Sequence, residues 1–327
     1  MTRDPGTASR RTLLRVATAT VGAAALGPLT GTSARADAPA EPPAVQASRA
    51  AVRRFGRYRV LALLDAHGTF PATAAAAFPG ATPEAWERAR ELDPSAFGPH
   101  GTWELDFRCY AVRGPGGRIT LVDTGIGPVG SPASKWAPVP GRLPQALTAA
   151  GIRPQDVDTV VLSHLHEDHY GWSVTPDGVP VFPDAQYVVQ QTEVAGLAAG
   201  DSALRYVVNP LRRAGLLRQV DGRCRLPGPR GAGAGLTLFG TPGHTPGHQS
   251  LLVEGGGQRL LITGDVLVHA VQLADPATRY AFEADPALAR RTREALLAEA
   301  GRTGTVLATP HLNRPFLPLP APDAPRH

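Results

Sequence analysis

The sequence predicts an α/β sandwich, and three observations carry that expectation. Short apolar, β-branched runs recur along the chain with capped helical segments between them, a pattern that favours layered sheets and helices over a helical bundle or a pure β fold. Several of the runs end in a histidine or an aspartate where the chain leaves the strand. Residues 37–327 are enough to bury a large core, as one sizeable domain or two small ones.

The N-terminus reads SRRTLLRVATATVGAAALGPLTGTSARADA. Arg10 and Arg11 precede an uncharged stretch from Val16 to Leu29, and Ala34-Arg35-Ala36 follows as a small-residue cleavage site. The stretch is too short and too rich in Ala, Gly and Thr for a membrane span, which needs about 20 predominantly apolar residues. This order predicts export, to the cell envelope or beyond, without stable membrane association. The segment resembles a twin-arginine (Tat) signal, whose machinery carries already folded proteins. Residues 1–36 are therefore expected to be removed.

That segment holds five arginines against Asp4, a net of +4, so the whole-chain charge of +5 falls to +1 over residues 37–327. The high pI is thus no argument for a nucleic-acid partner, and a small-molecule substrate is expected instead. Cys109 lies in a strand-like stretch and Cys224 in a polar connection; neither spacing nor context shows whether they pair, and neither occupies a metal-motif position.

Residues 37–56 read as a Pro/Ala-rich lead-in, 57–316 as the folded domain and 317–327 as a Pro-rich tail. Within the domain, Tyr58–Phe70 opens as a strand. ATPEAWERARELDP is a short helix with Thr82 as N-cap and Pro83 at the first helical position. WELDFRCYAVRGPGGRITLVDTG supplies two strands joined by the Gly114–Gly117 turn. Leu143–Ala150 is a helix closed by Gly151. A strand ending at Leu162 follows, then strands within AQYVVQQTEV, GLTLFGTPGHTPGHQSLLVEG and QRLLITGDVLV, a helix over 285–301, and a last short strand in TVLATPH. The Gly/Ala run 231–235 reads as a flexible connection and only weakly matches a phosphate-cradling loop. No G-x-S-x-G is present, so a serine-hydrolase elbow has no support.

The stretch VVLSHLHEDHYGW packs three histidines and two acidic residues between His164 and His169, in a chain with ten histidines altogether. It is not a helical zinc-protease motif, because Tyr170 stands where H-E-x-x-H needs its second histidine. In an extended segment alternate side chains share a side, so His164, His166 and Asp168 can point one way as the strand ends while His169 turns elsewhere. Two residues can then hold one cation while the next two reach a second. Imidazole and carboxylate suit zinc and its neighbours. His244 in TPGHTPGH, Asp265 in LLITGD and His311 in VLATPH each follow an apolar run and sit where the chain leaves a strand.

In this order the motifs resemble the metallo-β-lactamase superfamily, over a span from Tyr58 to His311 that includes Asp123-Thr124-Gly125. The resemblance implies an αββα sandwich, two mixed sheets face to face with helices outside. It also implies two divalent metal ions, zinc foremost. His164, His166 and His244 would bind the first, Asp168, His169 and His311 the second, and Asp265 would bridge them. His248 would support the site, and Asp123 would hydrogen-bond a ligand region rather than touch metal. The implied reaction is hydrolysis by a metal-bridging hydroxide, with no covalent enzyme intermediate. Asp168 is the candidate for relaying a proton to the leaving group, and Glu167 is expected to face solvent.

The stretches after Asp265 and around His311 look closest to the branch of methyl parathion hydrolases and N-acyl homoserine lactonases, which implies lactones or esters, with phosphotriesters as a side activity. The tyrosine that the lactonases carry three residues after the bridging aspartate is Val268 here; adjacent His269 is either a replacement oxyanion donor or a residue packed under a loop. Tyr170 and Trp172 either wall the pocket mouth or pack beneath a loop. Asp265 stands where the best-known zinc β-lactamases use cysteine, which counts against that class. A glyoxalase-type thioester hydrolase, a single-iron persulfide oxygenase and a non-catalytic metal-binding protein remain alternatives. Oligomeric state is not legible.

Overall fold

The computed structural model describes residues 51–227 and 235–319. The expected signal segment, most of the lead-in, the Gly/Ala run up to residue 234 and the end of the tail lie outside the described residues. Two sheets build the domain. The first has seven strands in sequence order: β1 (Ala51–Phe55), β2 (Tyr58–Thr73), β3 (Thr102–Arg113), β4 (Ile119–Val122), β5 (Thr159–Val161), β6 (Gln186–Gln190) and β7 (Leu217–Val220). Its first half is an antiparallel meander, and β4 to β7 run parallel. The second sheet, read from one edge, is β13 (Leu317–Pro318), β12 (Val306–Ala308), β11 (Gln258–Ile262), β10 (Gln249–Gly255), β9 (Gly235–Gly240) and β8 (Cys224–Arg225). Only β11 and β12 pair in parallel there.

The period-2 alternation of the strands makes the layers. Along β2, Val60 and Ala62 join the core between the sheets, where Leu260 and Ile262 of β11 meet them. The intervening Leu61 and Leu63 face outward onto α3 (Leu143–Ala149), through Leu143 and Leu147. Leu261 of β11 likewise faces outward, where Leu296 and Ala300 of α7 (Pro286–Thr303) cover it. Helix, sheet, sheet, helix is the αββα order expected.

The helices α1 (Ala74–Ala77), α2 (Pro83–Leu92), α4 (Gln191–Ala195), α5 (Asn209–Arg213) and α6 (Val271–Ala274) complete the element list used below. Thr82 caps α2, its hydroxyl accepting from the Ala85 N–H, with Pro83 opening the helix. Among the boundaries that differ from expectation, three change an element's place. β1 lies inside the lead-in, where its ladder to β2 orders it, and β13 lies at the start of the tail, paired to β12. The strand in AQYVVQQTEV stops at Gln190 and α4 takes the next five residues. Cys109, buried on β3, and Cys224 are both free. Among the described residues no helix is long and apolar enough to cross a membrane.

Candidate metal centre

Strand ends from both sheets converge on one edge. Parallel pairing of β4 and β5 sets Asp123 beside the chain leaving Val161, whose carbonyl accepts the Asp123 N–H at 2.8 Å. In the second sheet, the β9–β10 connection and the ends of β11 and β12 leave on the same side, bringing His244, Asp265 and His311. The roots of the two sets are stitched together: the Gln249 N–H donates to the Ser163 carbonyl, and its side-chain amide donates to that of Leu162, both at 2.8 Å.

The seven expected ligands form two groups, His164, His166, His244 and Asp265 in one, and Asp168, His169 and His311 in the other. Asp265 lies between them. Its Oδ1 is 3.3 Å from His169 Nε2 and 3.2 Å from His311 Nε2, while its Oδ2 is 3.3 Å from His244 Nε2 and 3.8 Å from His164 Nε2. One carboxylate oxygen therefore faces each group. Asp168 Oδ2 is 3.5 Å from both His169 Nε2 and His311 Nε2.

The donor set fits metal cations. His169 Nδ1 is 2.9 Å from Asp123 Oδ2, and His311 Nδ1 is 2.9 Å from the Asp106 carbonyl, so each ring places its proton on Nδ1. Their Nε2 lone pairs then face each other at 3.3 Å. His244 Nε2 approaches His166 Nδ1 at 2.9 Å. His164 Nε2 and Asp265 Oδ1 are buried with no hydrogen-bond partner. Each such orphan costs about 1–3 kcal/mol, and repelling lone pairs add to that. A cluster of this kind is no device for stability; cations between the lone pairs satisfy all of it at once.

Electrostatics agree. Burial, the largest cause, holds His164 and His244 well below the usual imidazole range. Burial would lower His169 too, but Asp265, Asp168 and Asp123 outweigh it and raise the ring. Burial opposes ionisation of Asp265, and the surrounding imidazoles overcome it and hold the carboxyl low.

Supporting contacts fix these groups. Asp123 sits in the left-handed region at φ 59°, and besides His169 it accepts from the Ser163 N–H at 2.7 Å and the Ser163 hydroxyl at 2.8 Å. His248 lies 2.8 Å from the Thr241 hydroxyl through Nδ1, and its Nε2 accepts the Asp265 N–H at 2.9 Å. Gly264 stands between them at φ +55°, where a Cβ would lie 2.6 Å from His248 Nε2. The sequence model of the metallo-beta-lactamase superfamily matches residues 108–311, the interval that contains every one of these ligands.

The chain belongs to the metallo-β-lactamase superfamily. Metallo-beta-lactamase domain-containing protein 1 of Mus musculus is 32% identical over 222 residues, covering 67% of this chain and 68% of the relative. The N-acyl homoserine lactonase AttM of Rhizobium radiobacter is 32% identical over 186 residues, covering 50% of this chain; the chain thus spans 65% of that lactonase's length. Among solved structures, AidC, a dizinc quorum-quenching lactonase in complex with a product, superposes with a TM-score of 0.64 at 20% identity, over 84% of this chain and 98% of that one. That likeness is one of fold.

Other expected residues of this metallo-β-lactamase-fold enzyme fall differently. Glu167 does not face open solvent: its carboxylate accepts from Trp136 Nε1 at 3.1 Å, and burial pushes its pKa up. Tyr170 is fully buried in the core, and Trp172 donates to Asp65 Oδ1 at 3.1 Å, so both pack beneath the ligand turn. His269 stands outside both ligand groups. The rings of Phe78, Trp86, Phe97 and Trp103 surround it at 5.0–5.6 Å, its Nδ1 accepts the Val271 N–H at 3.0 Å, and burial drives its pKa to about 3. Its neutral ring thus carries the proton on Nε2, which has no hydrogen-bond partner.

The sequence reading missed the aromatic surroundings of the ligands. Phe107 lies 5.8 Å from the His311 ring and 5.7 Å from Trp136; Phe70 lies 5.8 Å from Trp136 and 5.6 Å from Phe282. Tyr280 is 5.3 Å from Phe282 and stacks on His244 at 5.9 Å and 11°. A continuous run of rings therefore links a ligand of one group to a ligand of the other. These residues come from β2, β3 and two loops, with no common motif to mark them.

Proposed function

We propose that this protein is a dinuclear metal-dependent hydrolase acting on lactones or esters of small apolar molecules, with phosphotriesters as a side activity. The observation that carries the reading is Asp265, one carboxylate with an oxygen turned to each ligand group. Two cations held by these groups, zinc first among the candidates, would polarise a carbonyl and supply a nucleophile from water at neutral pH. The dizinc character of AidC and the lactonase relative AttM support the choice of metal and substrate class.

The chain's own residues account for the rest. Asp123 and the Asp106 carbonyl keep Nδ1 of His169 and His311 protonated and their Nε2 lone pairs available. Asp168, at the edge of the second group, is the carboxylate placed to carry a proton to a leaving alkoxide. The partly exposed members of the ring run, Phe70, Trp136 and Phe282, offer apolar contact to an acyl chain or an aryl group, and an anionic group gains nothing from them.

The test is metal analysis joined to a substrate panel of lactones, aryl esters, thioesters, phosphotriesters and β-lactams. About two metal equivalents with fastest turnover on a lactone or ester support the proposal. β-Lactams cleaved faster than any lactone or ester overturn the substrate assignment, and one equivalent of iron without hydrolysis points to the oxygenase reading.

A further inference from the structure

We propose that Glu193 is a positioning residue that locks the two loops carrying His164, His166 and His244 into one cradle. Glu193 belongs to α4, the short helix that replaces the expected end of β6. It is 3% exposed, and nothing in the metal-ligand pattern points to it. Its Oε1 accepts the Leu165 N–H at 2.8 Å, and its Oε2 accepts the Gly247 N–H at 2.9 Å. Leu165 lies between His164 and His166. Gly247 lies in the β9–β10 loop, three residues beyond His244.

The two loops hang from different sheets, so each could shift with its own sheet. The Gln249 contacts described above join them at their roots, below the imidazoles. Glu193 joins them at the turns that bear the ligands, through two charge-assisted hydrogen bonds of the stronger class. The fit is close: a Cβ on Gly247 would lie 2.1 Å from the Glu193 backbone nitrogen, so the loop rests directly on α4 and position 247 admits no side chain. The approach of His244 Nε2 to His166 Nδ1 at 2.9 Å is the spacing that this strap sets. The second group is held separately, by Asp123 and the Asp106 carbonyl, so Glu193 acts on the first site alone.

The inference rests on the metal reading for its consequence but not for its geometry, and the test separates the two. Amide hydrogen exchange is measured on metal-free wild type, E193Q and E193D, followed by zinc titration against a competing chelator. Gln keeps the shape but turns an amide N–H toward a backbone N–H; Asp keeps the charge but is one methylene short and can hold one amide. Wild type is expected to protect the Leu165 and Gly247 amides without metal. E193Q keeps one acceptor oxygen, so it is expected to lose protection at one of the two amides and to bind first-site zinc about 10–100-fold more weakly, with second-site affinity unchanged, and E193D to lose one contact while keeping the charge. Should E193Q not fold, wild type and E193D carry the comparison. Unprotected amides in wild type, or unaltered first-site affinity in a folded variant, overturn the proposal. Protected amides in a wild type that takes up no zinc support the strap and overturn the metal reading instead.

Discussion

His169 and His311 face each other through Nε2 at 3.3 Å while Asp123 and the Asp106 carbonyl occupy their Nδ1 atoms. Both rings commit Nδ1 outward, so the facing Nε2 atoms are left to a shared cation, and, against the burial that would lower His169, Asp265, Asp168 and Asp123 favour positive charge there. With Asp168 the pair forms a group that could hold a metal ion.

Metal content follows from this division. Wild type is expected to load about two equivalents of zinc, in line with a two-metal site. His169→Ala or His311→Ala should deplete the second site and leave the first, while His164→Ala should do the reverse. Chelation should lower the melting temperature, since metal bound only by the folded state stabilises it by mass action. Saturated wild type holding a single ion would falsify the dinuclear reading.

Asp265→Ala should cost more than any single histidine change. Its two oxygens serve different groups, so removing it loosens both at once and leaves four imidazoles without their shared counter-charge. Turnover is expected to fall by about 10³-fold or more, beyond the roughly 10–100-fold typical of a supporting contact. A variant with full metal and full activity would show that the carboxylate bridges nothing.

Asp123→Asn tests the support of the second site. Asn tolerates the φ of 59° at this position, so the backbone should hold, but its single acceptor oxygen cannot serve both the Ser163 N–H on one side and His169 with the Ser163 hydroxyl on the other. Second-site affinity should drop by about 10–100-fold in the titration that reads the first site as nearly unchanged. Equal weakening of both sites would mean that Asp123 braces the whole edge.

His269 is expected to act through packing. His269→Ala empties the space between four aromatic rings and should cost about 2–5 kcal/mol of stability by the precedent of large-to-small core changes, with kcat within tenfold of wild type. Denaturant melts and steady-state rates separate the two roles. Unchanged stability with a hundredfold fall in kcat would assign the unpartnered Nε2–H to the developing oxyanion.

Export by the twin-arginine route is a proposal about residues 1–36 alone. Replacing Arg10 and Arg11 together by lysine should leave the protein in the cytoplasm, and the exported form should begin near Asp37. N-terminal sequencing of the secreted fraction decides it: a retained leader, or secretion of the double variant, removes the proposal.

By itself the sequence determined the layers and marked the candidate ligands. His164, His166, Asp168 and His169 lie within one short turn, and a strand-ending Asp265 or His311 is legible because apolar alternation marks where the strand stops. Local chemistry also marked Thr82 and Pro83 at the start of α2 and the Gly114–Gly117 turn. What only the tertiary structure decided is everything that depends on two distant segments meeting. Asp265 is a single carboxylate in sequence, and it faces both groups only because β11 ends beside β12 and across from β5. Glu167 looked solvent-facing until the loop bearing Trp136 folded over it. Glu193 sits in a stretch that reads as strand; its role exists because β6 gives way to α4 where loops from two sheets approach. His269 carries no local sign of its four aromatic neighbours, which arrive from α2, β3 and the loops around them. Period and spacing are properties of one segment, whereas burial, shared hydrogen bonds and facing lone pairs belong to pairs of segments, and packing alone selects the pairs.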